Sequence, residues 1–337
     1  MRIGLIGLGR IGALHASTLG ALTRVHELVV TDPVDTAVDA VVKRIPKARA
    51  VPSPQGLLDA NLDGVVIAAA TNAHAELLIA CVERGIPTFC EKPVAGTVAD
   101  AVAIRDALAG SAVPVQIGYP RRFDPAFVAA REAARAGRLG RLHTVRSTTL
   151  DPAPPPARYL AVSGGIFRDC AVHDFDAIRW VTGQEVVEVY AVGSVDPRAA
   201  AAMYADHGDL TTATAVLTMD DGTIGVVSNT RTNARGYDVR LEVHGTDDSV
   251  AAGYDDGLPL RSTQRGVNWP VGPPHTSFMD RLADAFRAEL TAFCAVATGE
   301  RPSPCTVQDA MSTAWVAEAA TLSVAEHRPV RIEEVAR

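Results

Sequence analysis

The stretch Gly7-Leu8-Gly9-Arg10-Ile11-Gly12 decides the fold, because this G-x-G-x-x-G pattern directly follows an apolar run at residues 2–6. The run predicts a buried strand, and the pattern predicts a tight turn into a helix. The first glycine permits the turn, the second lets the backbone approach a pyrophosphate, and the third lets helix and strand pack closely. Gly7, Gly9, Arg10, Ile11 and Gly12 are therefore candidate cofactor-binding residues. The alternative is that the glycines serve only the turn.

Asp32 adds a second feature of a dinucleotide site. It lies 20 residues past Gly12, at the end of the second predicted strand. A carboxylate at this position accepts hydrogen bonds from the ribose hydroxyls of adenosine. It also repels a 2′-phosphate, and Pro33 stands where an NADP enzyme tends to carry an arginine. The pattern predicts NAD as cofactor, with NADP less favoured; the alternative is an ordinary aspartate at a strand end.

The first 119 residues alternate between short apolar runs and longer helical patterns, which is typical of βαβ units around a parallel sheet. This predicts an α/β fold whose N-terminal domain, residues 1–119, is a doubly wound Rossmann sheet that binds NAD. Predicted strands lie at residues 2–6, 27–31, 64–69, 87–90 and 113–118, with a weak one near 49–51. Predicted helices lie at residues 11–22, 34–44, 73–84 and 98–108.

The pattern changes after Tyr119, and residues 120–337 predict a C-terminal α+β domain for substrate binding and oligomerisation. Extended runs joined by short turns predict an open, largely antiparallel sheet. The C-terminal segment can pack back on the first domain. An open sheet with helices on one face needs cover on the other, so we expect a homo-oligomer, a dimer or a tetramer. Predicted strands lie at residues 142–150, 185–195, 210–218, 223–229, 237–243, 250–254 and 330–332, predicted helices at 125–136, 165–181, 278–297 and 307–326, and a proline-rich loop at 151–157.

Composition excludes several classes of protein. A chain of 337 residues with 47% apolar and 21% charged residues is typical of a soluble globular protein with two domains. A net charge of −7 without a dense basic run argues against nucleic acid as partner. There is no signal-peptide pattern, and the apolar run at residues 65–70 is far below the roughly 20 residues that span a bilayer. We therefore expect a cytoplasmic protein without a membrane partner.

Five cysteines without C-x-x-C spacing predict free thiols, neither a disulfide framework nor a metal site. Only three of the 32 basic residues are lysine, namely Lys43, Lys47 and Lys92, so a lysine in a motif carries more weight here than usual.

Lys92 lies in such a motif, Glu91-Lys92-Pro93, at the end of a predicted strand. Open α/β sheets bind ligands at the carboxyl edge of their strands, so Lys92 and the glycine loop are expected on one rim. Thr71, Asn72 and His74 follow the preceding strand and would line the same crevice. For His74 the alternative is a helix N-terminal residue in water.

Asp169 and His173 are spaced i, i+4 on a predicted helix, which places a carboxylate and an imidazole on one face. Such a pair can steer a substrate hydroxyl and take its proton, because the histidine pKa lies close to neutral. A structural ion pair is the alternative. A metal site is not predicted here, because the sequence offers no third ligand near these two residues.

In combination, these motifs resemble the Gfo/Idh/MocA oxidoreductase family, and within it the chain is most similar to the inositol 2-dehydrogenases. The resemblance covers nearly the whole chain. It rests on the glycine loop followed by His15, on Glu91-Lys92-Pro93, on Gln116 to Asp124 with its Arg121-Arg122 pair, and on Ser163-Gly164-Gly165 leading to Asp169, His173 and Asp174.

The resemblance implies that Lys92, Asp169 and His173 are the catalytic residues. His173 would be the general base, Asp169 would orient substrate and imidazole, and Lys92 would bind the reacting oxygen. A cis peptide between Lys92 and Pro93 is also implied, as is cofactor binding by Glu91 and Lys92. Arg121, Arg122 and Tyr237 would bound the substrate pocket, although a surface ion pair is an alternative for either arginine.

The implied activity is NAD-dependent oxidation of a secondary hydroxyl of a cyclic polyol or sugar. Pro120 and the prolines at residues 154–156 depart from the pattern of inositol dehydrogenases near the expected pocket, which leaves other polyols and sugars open. Two other functions stay open as well: a glycosidase that uses NAD for transient oxidation, and a non-catalytic NAD-binding sensor of the same fold.

Overall fold

The computed structural model describes residues 1–196, 204, 206–262, 264–268 and 270–336. The chain divides into two compact units. The first comprises Met1–Pro120 and Asp284–Met311, and the second comprises Arg121–Ala283 and Ser312–Arg337.

The first unit holds a six-stranded parallel sheet in the order β3-β2-β1-β4-β5-β6, which is the Rossmann order. Its core strand β1 (Arg2–Ile6) pairs with β2 on one side and β4 on the other. The other strands are β2 (Glu27–Thr31), β3 (Ala48–Ala50), β4 (Gly64–Ile67), β5 (Thr88–Glu91) and β6 (Val115–Gly118). The helices between them are α1 (Arg10–Ala21), α2 (Asp35–Arg44), α3 (Pro54–Leu58), α4 (His74–Glu83) and α5 (Val98–Leu108).

The core of this unit forms because both faces of a parallel sheet are covered, so its strands are apolar along their length. Ile3, Leu5, Leu28 and Val66 are fully buried. Phe293, from the later segment of the unit, packs against Gly64, where an added Cβ would meet its ring at 3.0 Å.

The second unit is built on a seven-stranded sheet in the order β12-β11-β7-β10-β9-β8-β13. Its strands are antiparallel except for one parallel pair, β7 with β10. The strands are β7 (Leu142–Leu150), β8 (Val186–Ser194), β9 (Thr212–Met219), β10 (Ile224–Thr230), β11 (Asp238–Gly245), β12 (Ser249–Ala252) and β13 (Val330–Arg331). The remaining helices of the chain are α6 (Pro125–Arg135), α7 (Ala157–Ser163), α8 (Val172–Thr182), α9 (Phe278–Arg281), α10 (Ala283–Ala297) and α11 (Val307–Glu326).

The two faces of this sheet differ. On one face, alternate residues of β9 such as Ala213, Ala215 and Leu217 are buried in the core together with α8. On the other face, the outward residues of β8, β9 and β10 include the exposed side chains of Tyr190, Val192, Val216 and Ile224.

The predicted fold class is confirmed, and the differences are local. The expected helix at residues 278–297 is interrupted at Leu282, which separates α9 from α10. Helices α3 and α7 were not predicted; they are only 5 and 7 residues long, too short for periodicity to reveal. Among the described residues, no helix is long and apolar enough to cross a membrane.

Candidate active site

The glycine loop between β1 and α1 has the geometry that the pattern predicts. Gly7 has φ +93°, a conformation that side chains other than glycine rarely adopt. A Cβ on Gly12 would lie 2.0 Å from the Gly7 carbonyl oxygen, so only glycine fits there. A Cβ on Gly9 would meet nothing within 4 Å. The loop is therefore tight at its two ends and open at Gly9, where a phosphate can approach the backbone. Arg10 and Ile11 are the first two residues of α1.

Asp32 closes this loop from the end of β2. One carboxylate oxygen accepts from the Leu8 N–H at 2.6 Å and the other from the Val34 N–H at 2.8 Å. The carboxylate is thus fixed by two backbone donors at the rim of the sheet. It also borders a pocket whose other lining residues are Asp35, Val38, Asp39, Ala50, Val51 and Pro52.

The glycine loop, Thr71, Asn72 and Lys92 lie along one rim of the sheet, as expected. They follow the carboxyl ends of β1, β4 and β5, which are neighbouring strands. Thr71 and Asn72 are in a single 3₁₀ turn before α4. Lys92 is half-buried, and the Lys92–Pro93 peptide bond is cis, as the resemblance implied.

His74 is the first residue of α4, as the alternative states, but it does not lie in water. Its side chain is buried, with Nδ1 at 2.7 Å from the Pro93 carbonyl oxygen and Nε2 at 3.1 Å from the Ala69 carbonyl oxygen. The imidazole therefore joins the segment after β4 to the proline that follows Lys92. It thereby holds two segments of the rim together.

Glu91 is held by a second buried histidine. Its Oε1 lies 2.5 Å from Nε2 of His15, a fully buried residue of α1. The His15 ring also contacts Phe89 and Phe286 edge-on. The residue before Lys92 is thus anchored to the helix that begins at the glycine loop.

Asp169 and His173 lie at a change of helix type in the second unit. Phe167–Ala171 form one π-helical turn, which passes directly into α8 at Val172. Such turns occur often at functional sites, because they change the direction in which the flanking side chains point. The predicted helix is there, but the π-turn was not predicted. Both side chains are partly exposed.

Asp174, directly after His173, is fully buried and ties α8 to the sheet. Its carboxylate accepts from Arg121 Nη1 at 2.6 Å, from Ser147 Oγ at 2.6 Å, from Thr149 Oγ1 and from Asn229 Nδ2 at 2.8 Å. These donors come from β7, β10 and the segment before α6. The position of His173 on α8 is therefore set by a satisfied buried carboxylate at the next residue.

Arg121 and Arg122 are both buried, and their ion pairs lie in the interior rather than at the surface. Arg122 Nε and Nη2 donate to the two oxygens of Asp176 at 2.9 and 2.6 Å, a bidentate pair. Burial alone would lower the pKa of Arg121, but the carboxylate of Asp174 raises it above its usual value. The two arginines thus hold α8 through Asp174 and Asp176.

Tyr237 precedes β11 and is 5% exposed. Its backbone N–H donates to the His275 carbonyl at 2.7 Å, and its ring meets Phe278 edge-on. Burial raises the pKa of Tyr237 well above its usual value, so the phenol stays protonated.

Comparisons with known proteins agree with this architecture. The family described as "Oxidoreductase family, NAD-binding Rossmann fold" matches residues 1–119, and "GFO/IDH/MocA C-terminal domain" matches residues 127–251. The chain is 35% identical to the myo-inositol 2-dehydrogenase of Thermotoga maritima, over 99% of each chain. It belongs to the Gfo/Idh/MocA oxidoreductase family.

Solved members of the Gfo/Idh/MocA family have the same fold. A myo-inositol dehydrogenase from Corynebacterium glutamicum superposes with a TM-score of 0.90 at 31% identity, covering 98% of each chain. The scyllo-inositol dehydrogenase from Lactobacillus casei, solved with bound NAD(H) and scyllo-inositol, superposes with a TM-score of 0.87 at 25% identity, covering 99% of this chain and 98% of that chain.

The rim of the first unit fits the dinucleotide of this Gfo/Idh/MocA fold. Gly9 leaves space for a phosphate beside the start of α1. Asp32 is fixed beside this loop by its two backbone donors. This is the chain's NAD-binding Rossmann domain.

Some residues of this family member's site escaped the sequence analysis. Arg231 donates to Asp169 from a loop 62 positions further along the chain, and Tyr159 donates to it from the unpredicted helix α7. Neither residue carries a local motif. Asp35 and Asp39 lie within the second βα unit, where nothing but their charge distinguishes them.

Proposed function

We propose that this protein is an NAD-dependent dehydrogenase that oxidises a secondary hydroxyl of an inositol-like cyclic polyol or sugar to a ketone. The observation that carries the proposal is the Asp169 and His173 pair at the π-to-α junction of the second unit, present together with Lys92 on the cofactor rim of the first. The inositol dehydrogenases among its relatives support the substrate class.

In this proposal His173 is the general base. Its imidazole takes the proton of the substrate hydroxyl as a hydride leaves the carbon that bears this hydroxyl. The alcohol becomes a ketone, and the electron pair of the C–H bond leaves with the hydride. Lys92 donates to the reacting oxygen and stabilises its developing negative charge. Asp169 orients the substrate and the imidazole. Bound NAD supplies the hydride acceptor, so the products are ketone, NADH and one proton.

Cofactor binding is assigned to the rim of the first unit. Gly7, Gly9, Gly12, Arg10 and Ile11 would hold the pyrophosphate, and Asp32 the adenosine ribose. The remaining cofactor-binding residues proposed are Thr71, Asn72, His74, Glu91 and Lys92. Since both ring nitrogens of His74 lie within 3.1 Å of backbone carbonyl oxygens, its part is to hold this rim in place.

NAD is preferred over NADP because three carboxylates line the pocket beside Asp32. Asp32, Asp35 and Asp39 together place negative charge where a 2′-phosphate would have to lie. At a partly exposed site such like-charge repulsion is moderate but cumulative.

Residues 1–119 would serve the cofactor, and residues 120–337 the substrate and assembly. Tyr237, Asp169 and His173 would contact the substrate. Since Asp174 and Asp176 take the charges of Arg121 and Arg122, we assign the arginines to the pocket as positioning residues that hold α8 in place.

Assembly into a homo-oligomer, a dimer or a tetramer, is supported by the open face of the second sheet. Tyr190, Val192, Val216 and Ile224 are 43%, 51%, 42% and 47% exposed on adjacent strands. An apolar patch of this kind marks an interface. A mass of two or four chains by light scattering supports the assignment, and a monomeric mass overturns it.

The experiment that tests the function offers the purified protein a panel of inositols, monosaccharides and sugar phosphates with NAD and, in parallel, with NADP. NADH formation is followed by its absorbance. We expect turnover with NAD on a cyclic polyol or sugar. Lys92→Ala should lower kcat at least about 10²-fold, since it removes the group that stabilises the oxyanion. Lys43→Ala, which changes an exposed lysine on α2, is the matched control and should keep full activity.

Full turnover by Lys92→Ala would refute the role of that residue. NAD binding without turnover on any member of the panel would refute the dehydrogenase and favour the sensor or the glycosidase.

A further inference from the structure

Arg231 lies buried between two carboxylates of the second unit. Its side chain is 1% exposed. Nη1 donates to Oδ2 of Asp169 at 3.0 Å, and Nη2 lies 3.3 Å from Oδ2 of Asp209. One guanidinium thus joins the proposed catalytic carboxylate to a second, buried one.

Asp209 anchors this arrangement through backbone hydrogen bonds. It is 4% exposed, and its Oδ1 accepts from the backbone N–H groups of Ile166 at 2.8 Å and Leu210 at 2.7 Å. Ile166 is the residue directly before the π-helical turn that carries Asp169. The position of Arg231 is therefore fixed relative to that turn by the fold itself.

The other oxygen of Asp169 is held from a different element. Tyr159 of α7 donates its hydroxyl to Oδ1 at 2.7 Å, while Arg231 engages Oδ2. Two donors on opposite oxygens of a carboxylate restrict its rotation. Each also favours the ionised form, because a hydrogen bond or a positive charge next to a carboxylate lowers its pKa.

Two titratable groups near Arg231, Cys170 and Tyr204, stay neutral. Burial raises the pKa of the Cys170 thiol, which donates to Asp151 at 3.2 Å, and it also raises the pKa of Tyr204. Burial alone would lower the pKa of Arg231, but the carboxylates of Asp169 and Asp209 raise it well above its usual value. Among the described residues, the charged groups of this cluster include Asp151, Asp169, Asp209 and Arg231.

We propose that Arg231 and Tyr159 form a clamp that sets the orientation and the charge state of Asp169. Both are positioning residues, and the inference rests on the proposed role of Asp169 beside His173. The clamp keeps the carboxylate ionised at the pH at which His173 must accept a proton. Without the guanidinium, Asp169 would bind a proton at higher pH and lose its hold on the imidazole.

The test measures the protonation of Asp169 directly, by ¹³C NMR titration of protein labelled at the aspartate carboxyl carbons, with Asp169→Asn to assign the signal. Arg231→Met should raise the pKa of Asp169 by about 1–3 units, because it removes an adjacent buried charge. The acidic limb of the kcat/KM profile should move to higher pH in the same direction. Arg231→Lys keeps the charge and should restore the pKa to near the wild-type value.

Two further variants complete the experiment. Tyr159→Phe removes one hydrogen bond at an exposed site and should raise the pKa of Asp169 by less than Arg231→Met does. Arg179→Lys is the matched control, because Arg179 is a buried arginine on α8 that pairs with Glu185 and Thr313. It should leave both the Asp169 titration and the acidic limb unchanged.

An unchanged Asp169 pKa in Arg231→Met would overturn the clamp. If that variant does not fold, Tyr159→Phe decides in the same way, since an unchanged pKa there contradicts the clamp and a raised one supports it. The NMR readout needs no turnover. A moved pKa in a protein that oxidises no polyol therefore refutes the proposed function alone, and turnover with an unmoved pKa refutes the clamp alone.

Discussion

The cofactor rim of the first unit and the helix junction of the second unit position their functional groups in opposite ways. At the rim, the glycine loop offers backbone N–H groups, and its shape depends on the lack of a Cβ atom at Gly7 and Gly12. At the junction, Asp169 and His173 depend on charged side chains, with Asp174 accepting from four residues and Arg231 contacting two carboxylates.

The difference has an energetic consequence. A site built from backbone atoms is disrupted when a side-chain atom is added to one of its glycines, because the loop has no room for that atom. A site held by buried ion pairs fails when an atom is removed, because the remaining partner becomes an uncompensated charge in the interior. The rim and the junction should therefore respond to different mutations and to different solution conditions.

The largest effect is expected at Asp174. Asp174→Ala leaves the buried Arg121 guanidinium without its carboxylate, which should lower the free energy of unfolding by about 3–5 kcal/mol. Urea unfolding followed by tryptophan fluorescence measures this in the second unit, because Trp180, Trp269 and Trp315 all belong to its sequence ranges.

Glu333→Ala is the control for Asp174→Ala. Glu333 pairs with Arg331 of the same unit at 2.7 Å, but these two side chains are 72% and 58% exposed. Its loss should cost less than about 1 kcal/mol, as for other exposed ion pairs. Equal losses in the two variants would contradict the view that burial makes the Asp174 cluster decisive.

The next effect separates two glycines of one loop. Gly12→Ala places a Cβ 2.0 Å from the Gly7 carbonyl oxygen, so it should destabilise the protein by about 1–3 kcal/mol and weaken NADH binding. Gly9→Ala meets no protein atom within 4 Å, so the thermal unfolding temperature of the cofactor-free protein should stay the same. Its NADH affinity should nevertheless fall about tenfold, or about 1.4 kcal/mol, because the methyl group lies where the phosphate approaches.

Thermal unfolding and NADH fluorescence titration of both variants sharpen the comparison. Unchanged NADH affinity in Gly9→Ala would show that this loop does not receive the phosphate, and a loss of stability in that variant would contradict the open space at Gly9.

The smallest effect concerns charge at the rim. Asp32 is the residue there that would act through its side chain and not through its backbone. Asp32→Asn keeps the shape of the side chain but removes its charge, so the ratio of kcat/KM for NAD to that for NADP should fall about tenfold. Asp59→Asn, a change at an exposed carboxylate of the same unit, should leave the ratio unaltered. A ratio that stays constant in Asp32→Asn would place cofactor choice elsewhere, with Asp35 and Asp39 next in line.

The same contrast explains what could be predicted from the sequence. Gly7, Gly9 and Gly12 lie within six residues, and Asp32 follows at a fixed distance, so a local pattern contained the whole phosphate loop. The alternation of strands and helices then placed Lys92 on the same rim. Parallel sheets bring the ends of successive strands together, which makes such a rim readable from element order alone.

The junction could be predicted only in part. The spacing of Asp169 and His173 indicated a helix. The π-turn that carries Asp169 depends on packing, which the periodicity of the sequence does not record. Arg231 and Tyr159 reach Asp169 from a distant loop and from a short helix. Arg121 and Arg122 were placed by resemblance at the pocket, while their burial against Asp174 and Asp176 became visible only in three dimensions.

In the proposed reaction a hydride moves from a ring carbon of a polyol to NAD, and isotope transfer tests this step most directly. The protein would be incubated with NAD and an inositol deuterated at its ring carbons, and the NADH formed would be analysed by mass spectrometry. We predict NADH that is heavier by one deuterium, formed together with the ketone. Formation of unlabelled NADH, or of no NADH from any polyol or sugar of the panel, would contradict the claim.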